Sequence, residues 1–97
     1  MSIRHVIIRG RVQGVGYRAW TEDEALRQDL EGWVRNRRDG TVEAVFSGPE
    51  EVVATMLAAC RQGPRGARVE AVDARDGADE LLAQRRRGER FSVLATA

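Results

Sequence analysis

The residues best suited to chemistry form the stretch Gly10–Arg18, GRVQGVGYR, in which an apolar strand runs into a glycine-containing loop. Gly14 and Gly16 have no Cβ atom, so the backbone can adopt left-handed dihedral angles that bring successive N–H groups towards one point. A helix that begins at Tyr17 or Arg18 adds free N-terminal amides and the positive end of its dipole. Arg18 supplies a planar fork of donors that matches phosphate oxygens. The pattern predicts a site for phosphate or for an anion of similar shape.

Two other phosphate-binding motifs do not fit this chain. All sixteen basic residues are arginines, so a P-loop lysine and Schiff-base chemistry are both excluded. The segment Gly14–Ala19 also matches the loose dinucleotide fingerprint, but that motif needs an acidic residue at the end of the second strand. Here the second predicted strand ends in Arg35-Asn36-Arg37, and the chain is too short for a doubly wound domain.

Length, charge and cysteine content limit the classes to which the chain can belong. Its 97 residues suffice for one domain over 1–97 with a modest core. The formal net charge of +1 gives no general attraction to nucleic acid, and no apolar run reaches membrane-spanning length. The N-terminus lacks a signal-peptide pattern and Cys60 is the single cysteine. We therefore expect a cytoplasmic protein without an internal disulfide or a thiolate metal cluster.

Hydrophobic periodicity predicts the elements that position the loop. The first strand is predicted over His5–Val12, and the helix after the loop is predicted to begin at Tyr17. Thr21 and Glu24 also resemble a capping box, which would delay the helix to Glu22. We favour the earlier start, because the later one leaves the loop amides without a helix terminus behind them.

Turn signals organise the rest of the chain. Asp39-Gly40 between apolar runs indicates a hairpin. Gly48 and Pro49 suit the cap and the first position of a second helix, and Gly63-Pro64 is predicted to end that helix. The remaining predicted elements are the strands Glu31–Arg37 and Thr41–Ser47, a helix buried through Val52, Val53, Met56, Leu57 and Cys60, a strand Arg68–Arg75, a surface loop Gly77–Arg90 with room for one helical turn, and a last strand Phe91–Ala95.

The order βαββαβ plus a terminal strand predicts an α+β fold, a ferredoxin-like sandwich with an antiparallel sheet and two helices on one face. We expect the strand Glu31–Arg37 to lie beside the first strand, which brings Asn36 close to the loop. A carboxamide has donors and an acceptor, so it can hold a water molecule without taking its proton. The fold hosts enzymes, RNA-binding domains and metal carriers, so it does not name a function.

The motifs together closely resemble the acylphosphatase family over nearly the whole chain. The matching features are the loop Gly10–Arg18, the hairpin Gly32–Glu43, the Gly48 turn, Gly63-Pro64 before the fourth strand, and Phe91-Ser92-Val93. One departure lies at the end of the first helix, where Gln28 replaces an apolar residue that members tend to have and Asp29 replaces a glycine that they often have. It predicts a helix end that is strained or less tightly packed. A second is the Arg-rich stretch Gly77–Arg90, which is longer than usual and leaves the position of the last strand open.

The resemblance implies an enzyme that hydrolyses carboxyl-phosphate anhydrides without a metal, another cofactor or a covalent intermediate. It implies that Arg18 binds the phosphate and that Asn36 orients the attacking water. The expected partner is a small acyl phosphate, and inorganic phosphate or sulfate is expected to be able to occupy the same site. We expect no nucleic acid or membrane partner. The sequence leaves the oligomeric state open, and a monomer is the simplest expectation. The backbone amides implied to surround the phosphate are those of the cradle loop: Gln13, Gly14, Val15, Gly16, Tyr17 and Arg18.

Two rival classes are weighed against the enzyme. A binding module of the same fold would keep the cradle loop for a phosphorylated or carbamoylated ligand, or for a partner protein, without turnover. An RNA-binding domain of this fold is disfavoured by the near-neutral charge and by the absence of the expected aromatic pattern on the central strands. Trp20 and Trp33 are therefore predicted to pack inside the protein, and Arg85–Arg87 is predicted to be a solvated loop.

Overall fold

The computed structural model describes residues 1–97, which form one five-stranded sheet with two α-helices packed against it. The elements in chain order are β1 (Ser2–Arg11), α1 (Tyr17–Arg27), β2 (Glu31–Asn36), β3 (Val42–Gly48), α2 (Glu50–Cys60), β4 (Arg68–Asp76), a 3₁₀ helix (Asp79–Gln84) and β5 (Phe91–Val93). Neither α-helix has the length and apolar character needed to cross a membrane. The βαββαβ ferredoxin-like fold class is confirmed.

The strand order is β4-β1-β3-β2-β5, so the prediction that β2 lies beside β1 is wrong. The helix α1 connects β1 to β2 by a crossover, which makes these two strands parallel and leaves a gap one strand wide. The return strand of the hairpin, β3, fills that gap and pairs antiparallel with both neighbours. The predicted all-antiparallel sheet is also corrected, since β5 runs parallel to β2.

Several predicted element ends shift by a few residues. The strand β1 begins at Ser2 and not at His5, and β5 ends at Val93. Pro49 is the N-cap residue of α2, with φ −57° and ψ 140°, and not its first helical residue. Gly48 still belongs to β3, so Pro49 remains extended while its carbonyl accepts the first helical hydrogen bond, from Val53 N–H at 2.9 Å.

The core lies between the sheet and the two helices. Apolar side chains of β1, β2 and β3 pack there against α1 and α2, and three members of the predicted stripe of α2 are buried while Val52 and Leu57 are partly buried. Tyr17 is 1% exposed and its ring lies 5.4 Å from that of Trp20, so the predicted packing role of Trp20 is confirmed. The buried stripe residues of α2 are Val53, Met56 and Cys60.

The segment Gly77–Arg90 has no buried residue, as predicted for a surface loop, and it contains a 3₁₀ helix where a helical turn was predicted. What the sequence did not predict is its contact with the face of the sheet that the helices do not cover. Its 3₁₀ helix places the Leu81 carbonyl 2.7 Å from Trp33 Nε1, which donates to it, and Trp33 is completely buried. Arg85 is also not fully solvated, because its guanidinium lies 3.6 Å from Glu31 Oε2. The indole provides an apolar surface that the segment can cover, which periodicity within the segment does not reveal.

The end of α1 is strained, as predicted from the aspartate at position 29. Asp29 has φ 58° and is the only non-glycine residue with a positive φ. Leu30 N–H donates to the Ala25 carbonyl at 2.9 Å and Asp29 N–H to Leu26 at 3.1 Å, which is the Schellman pattern that favours glycine at the Asp29 position. Its carboxylate accepts a 2.8 Å hydrogen bond from Arg90.

Candidate active site

The cradle loop has the left-handed backbone that its glycines predict. Gly14 has φ 74° and Gly16 has φ 81°, and Gly16 is the N-cap residue of α1. Trp20 N–H donates to the Gly16 carbonyl at 3.0 Å, so the helix begins at Tyr17 as predicted. Thr21 donates its hydroxyl to the Tyr17 carbonyl at 2.8 Å and lies within the helix, which excludes a start at Glu22. The free amides of the first turn therefore lie directly behind the loop.

A cavity of about 310 Å³ opens over this loop and reaches the end of β2. Its size is at the lower end of the ~300–1,000 Å³ typical of small-molecule sites. The structure thus brings Asn36, from the hairpin, to the same cavity as Arg18. Val15 does not line it, because this side chain packs against the core. The lining residues are Val12, Gln13, Gly14, Gly16, Tyr17, Arg18, Ala19, Glu22, Asn36 and Val93.

The guanidinium of Arg18 and the side-chain oxygen of Asn36 line the cavity and have no partner inside the protein. Arg18 is partly exposed and forms no salt bridge. Asn36 Oδ1 is buried without any hydrogen-bond partner. Buried polar atoms are nearly always hydrogen-bonded in folded proteins, so an unsatisfied one calls for a specific explanation. An acceptor without a donor, next to a free guanidinium and a loop of amides, is explained by a ligand or water that binds there.

The Gln13 side chain connects the cradle loop to the hairpin. Its Nε2 donates at 2.8 Å to the Arg37 carbonyl and at 2.8 Å to the Thr41 carbonyl. Both amide protons are thereby used, so only the backbone N–H of Gln13 remains for an anion. Arg37 follows Asn36 directly in the chain, and the two bonds therefore fix the distance between the cradle loop and Asn36.

Tyr17 anchors the start of α1 to α2. Its hydroxyl donates to the Cys60 carbonyl at 2.6 Å, and burial raises the pKa of Tyr17 far above its usual value. Burial also raises the pKa of the Cys60 thiol to about 12. The hydroxyl of Tyr17 therefore has its partner inside the protein, and the side chain packs in the core.

Three residues that line the cavity were not predicted to belong to the site: Ala19, Glu22 and Val93. Ala19 and Glu22 follow Arg18 at positions i+1 and i+4 of the same helix, and the i+4 spacing places Glu22 on the face of Arg18. Helical spacing could therefore have indicated Glu22. The contribution of Val93 depends on the pairing of β5 with β2, which no local pattern indicates.

Comparison with known proteins decides the family. The family model described as Acylphosphatase matches residues 4–91. This chain belongs to the acylphosphatase family. Among curated relatives, an acylphosphatase of Bradyrhizobium diazoefficiens is 60% identical over 96 residues, covering 98% of this chain and 96% of the relative. An acylphosphatase of Rhodopseudomonas palustris is 58% identical over 94 residues, covering 97% and 95%.

The fold of the acylphosphatase family agrees with the architecture described above. A crystal structure of acylphosphatase from Bacillus subtilis superposes with a TM-score of 0.83 at 34% identity, covering 97% of this chain and 99% of that chain. The comparisons support acylphosphatase function and an enzyme, and they do not favour the binding-module alternative. The substrate class implied by the family is an acyl phosphate.

Proposed function

We propose that this acylphosphatase hydrolyses acyl phosphates by binding the phosphoryl group in the cradle loop and directing a water molecule at it from Asn36. The observation that carries the proposal is the buried Asn36 Oδ1, which has no partner inside the protein and lines the same cavity as the unpaired Arg18. We propose water and not a side chain as the nucleophile, because the cradle loop and the hairpin contain no histidine, cysteine or serine.

The cradle loop and Arg18 would hold the phosphate. Backbone N–H groups of Gln13, Gly14, Val15, Gly16 and Tyr17 are proposed to surround its oxygens, at the positive end of the α1 dipole. The Arg18 guanidinium adds a fork of charge-assisted hydrogen bonds, each worth about 1.5–3 kcal/mol. These donors are fixed by the fold, so they can stabilise charge that redistributes over the phosphoryl oxygens in the transition state without reorganising.

The carboxamide of Asn36 would orient the water. Its Oδ1 accepts a hydrogen bond from the water, whose oxygen attacks phosphorus as the bond to the acyl oxygen breaks. The carboxylate leaves with the bonding electrons, and the proton of the water passes to a phosphate oxygen, so the products are a carboxylate and inorganic phosphate. A carboxylate is a good leaving group, and orientation alone can lower such a barrier by ~7–11 kcal/mol.

Phosphate release from benzoyl phosphate in the presence of a chelator tests this proposal. We expect chelator-resistant turnover of the anhydride, no turnover of phenyl phosphate, and inhibition by inorganic phosphate or sulfate. Arg18→Ala is the matched control, because it keeps the loop and removes the guanidinium. Activity abolished by the chelator, or unchanged in Arg18→Ala, would contradict the proposal.

The setting of the reaction is part of the same proposal. One sheet contains all five strands and both α-helices pack against it through one core, which supports a single domain over residues 1–97. We propose a monomer as the active unit, because the groups assigned to the chemistry, Arg18, Asn36 and the cradle loop, need no residue of a second copy. The free Cys60 thiol is buried, which is compatible with the predicted cytoplasmic location.

A further inference from the structure

The cavity is larger than the part assigned to phosphate, and its remaining wall must face the acyl group. That wall consists of the small or apolar side chains of Val12, Ala19 and Val93 together with the carboxylate of Glu22. The loop and the N-terminus of α1 fix where the phosphate binds, so the acyl group of a bound substrate extends along α1 or towards β5. Glu22 lies one helical turn beyond Arg18 on α1, in the first of these directions.

Glu22 carries a charge that nothing in the chain neutralises. It is partly buried and takes part in no salt bridge. The neighbouring Glu24 pairs with Arg27 at 2.7 Å, and the side-chain hydrogen bonds of α1 come from other residues. Arg18 is the only other ionisable side chain on the cavity wall apart from the Tyr17 phenol. Once a phosphate binds Arg18, the carboxylate of Glu22 is the uncompensated charge that remains on the cavity wall.

We infer that Glu22 makes this site selective by charge: it favours small acyl phosphates whose acyl group is cationic, and it disfavours those whose acyl group bears a carboxylate. The inference rests on the proposed function, because it uses the phosphate position given there. Its physical basis is the Coulomb interaction of Glu22 with a charge a few Å away near the protein surface, which is large enough to change relative rates several-fold.

Three benzoyl phosphates test the inference: the unsubstituted compound, its 4-carboxy derivative and its 4-trimethylammonio derivative. The measured quantity is kcat/KM for each charged substrate divided by kcat/KM for benzoyl phosphate, in the native protein, in Glu22→Gln and in Asp23→Asn. The ratio cancels any general effect of a substitution on phosphate binding. Asp23→Asn is the matched control, because it removes the same charge from an exposed position that does not line the cavity.

In Glu22→Gln we expect the ratio for the cationic substrate to fall about 3- to 10-fold and the ratio for the anionic substrate to rise by a similar factor. Asp23→Asn should leave both ratios near those of the native protein, and added salt should reduce the difference. Equal ratios in all three proteins overturn the inference. The proposed function still stands in that case if turnover of benzoyl phosphate depends on Arg18. If Glu22→Gln changes all three substrates alike, Glu22 acts through Arg18 and the inference is also overturned. If the native protein does not turn over benzoyl phosphate, both the proposed function and the inference about Glu22 are overturned.

Discussion

The cavity and the opposite face of the sheet contain similar polar groups in opposite states. On the face away from the helices, Glu43 accepts from Arg35 at 2.7 Å and lies 2.6 Å from His5 Nε2. The Arg35 guanidinium also lies 4.7 Å above the Trp33 ring. We call these four residues the Glu43 network. In the cavity, Arg18 has no anionic partner and the buried Asn36 Oδ1 has no donor inside the protein. Sequence composition does not distinguish these arginines; the presence or absence of partners does.

This difference shows how the two regions divide stability and function. Burial of Glu43 opposes its ionisation, but the hydrogen bonds from His5 and Arg35 outweigh that effect and hold the pKa of this carboxyl below its usual value of 4.5. A satisfied network of this kind rigidifies the sheet. The cavity keeps its polar groups available for a substrate, which costs the fold some free energy. Substitutions in the two regions should therefore have opposite signatures.

The largest contrast is expected between Arg18→Lys and Arg35→Lys. A lysine cannot reproduce the planar fork, so Arg18→Lys should lower kcat/KM for benzoyl phosphate by on the order of 10²-fold or more with little change in stability. Arg35→Lys should lower the free energy of unfolding by about 1–3 kcal/mol and leave kcat/KM close to the native value. Denaturant unfolding and initial rates measure both quantities. Native turnover in Arg18→Lys would contradict the bidentate interaction.

The next effect concerns the unsatisfied amide. Asn36 Oδ1 has no hydrogen-bond partner inside the protein, so we expect Asn36→Ala to leave the stability unchanged or slightly higher. Loss of the oriented water should lower kcat by about 10²-fold, while the inhibition constant of inorganic phosphate stays close to native. Product-inhibition kinetics separate the two steps. An equal loss of phosphate binding and turnover would mean that Asn36 supports the cavity structurally.

A smaller effect is expected where the two sides of the cavity are joined. Gln13→Met removes the donors to the Arg37 and Thr41 carbonyls and should lower kcat about tenfold, equivalent to ~1.4 kcal/mol, with phosphate inhibition retained. Gln28→Met is the control, because it removes an amide that donates to Glu24 at 3.2 Å, outside the cavity. Weaker phosphate inhibition in Gln13→Met would instead assign its side chain to the phosphate site.

The Glu43 network should also appear in the pH dependence of stability. Because the folded-state pKa of Glu43 is lowered, its contribution is present above the unfolded pKa of about 4.3–4.5 and is lost as pH falls through the lower folded value. Glu43→Gln should reduce stability at neutral pH and make the decline below about pH 4.5 shallower. Thermal unfolding at a series of pH values measures this. A variant with the native slope would show that other carboxyl groups dominate the acid transition.

The smallest effect is expected at Asp29, a residue with a positive φ that lies outside the cavity. Asp29→Gly should relieve the strain at the end of α1 and raise stability by about 0.5 kcal/mol without changing kcat. The gain is reduced by loss of the exposed hydrogen bond with Arg90, so it should be larger in an Arg90→Ala background. A decrease in stability in both backgrounds would show that aspartate is not strained there.

Local patterns predicted the parts of the site that lie within one stretch of chain. Glycine spacing and the helix start gave the cradle loop, and Asp39-Gly40 gave the hairpin, because these conformations depend on a few neighbouring residues. The predicted order of the strands was partly wrong, because β3 and not β2 pairs with β1. That pairing joins residues that are distant in sequence. The contact between the segment Gly77–Arg90 and Trp33 was not predicted for the same reason, because Trp33 lies on a distant strand.

The sequence by itself determined the cradle loop, the two helices, the α+β class and the resemblance to acylphosphatases, because steric limits on φ and the periodicity of apolar residues act locally. Only the tertiary structure decided that both protons of the Gln13 amide are spent on the hairpin, that Asn36 Oδ1 is left without a donor, and that Glu22 faces the cavity. Those outcomes depend on which chain segments meet in space. Whether a polar group finds a hydrogen-bond partner depends on which segments pack around it, so it cannot be predicted from any single segment.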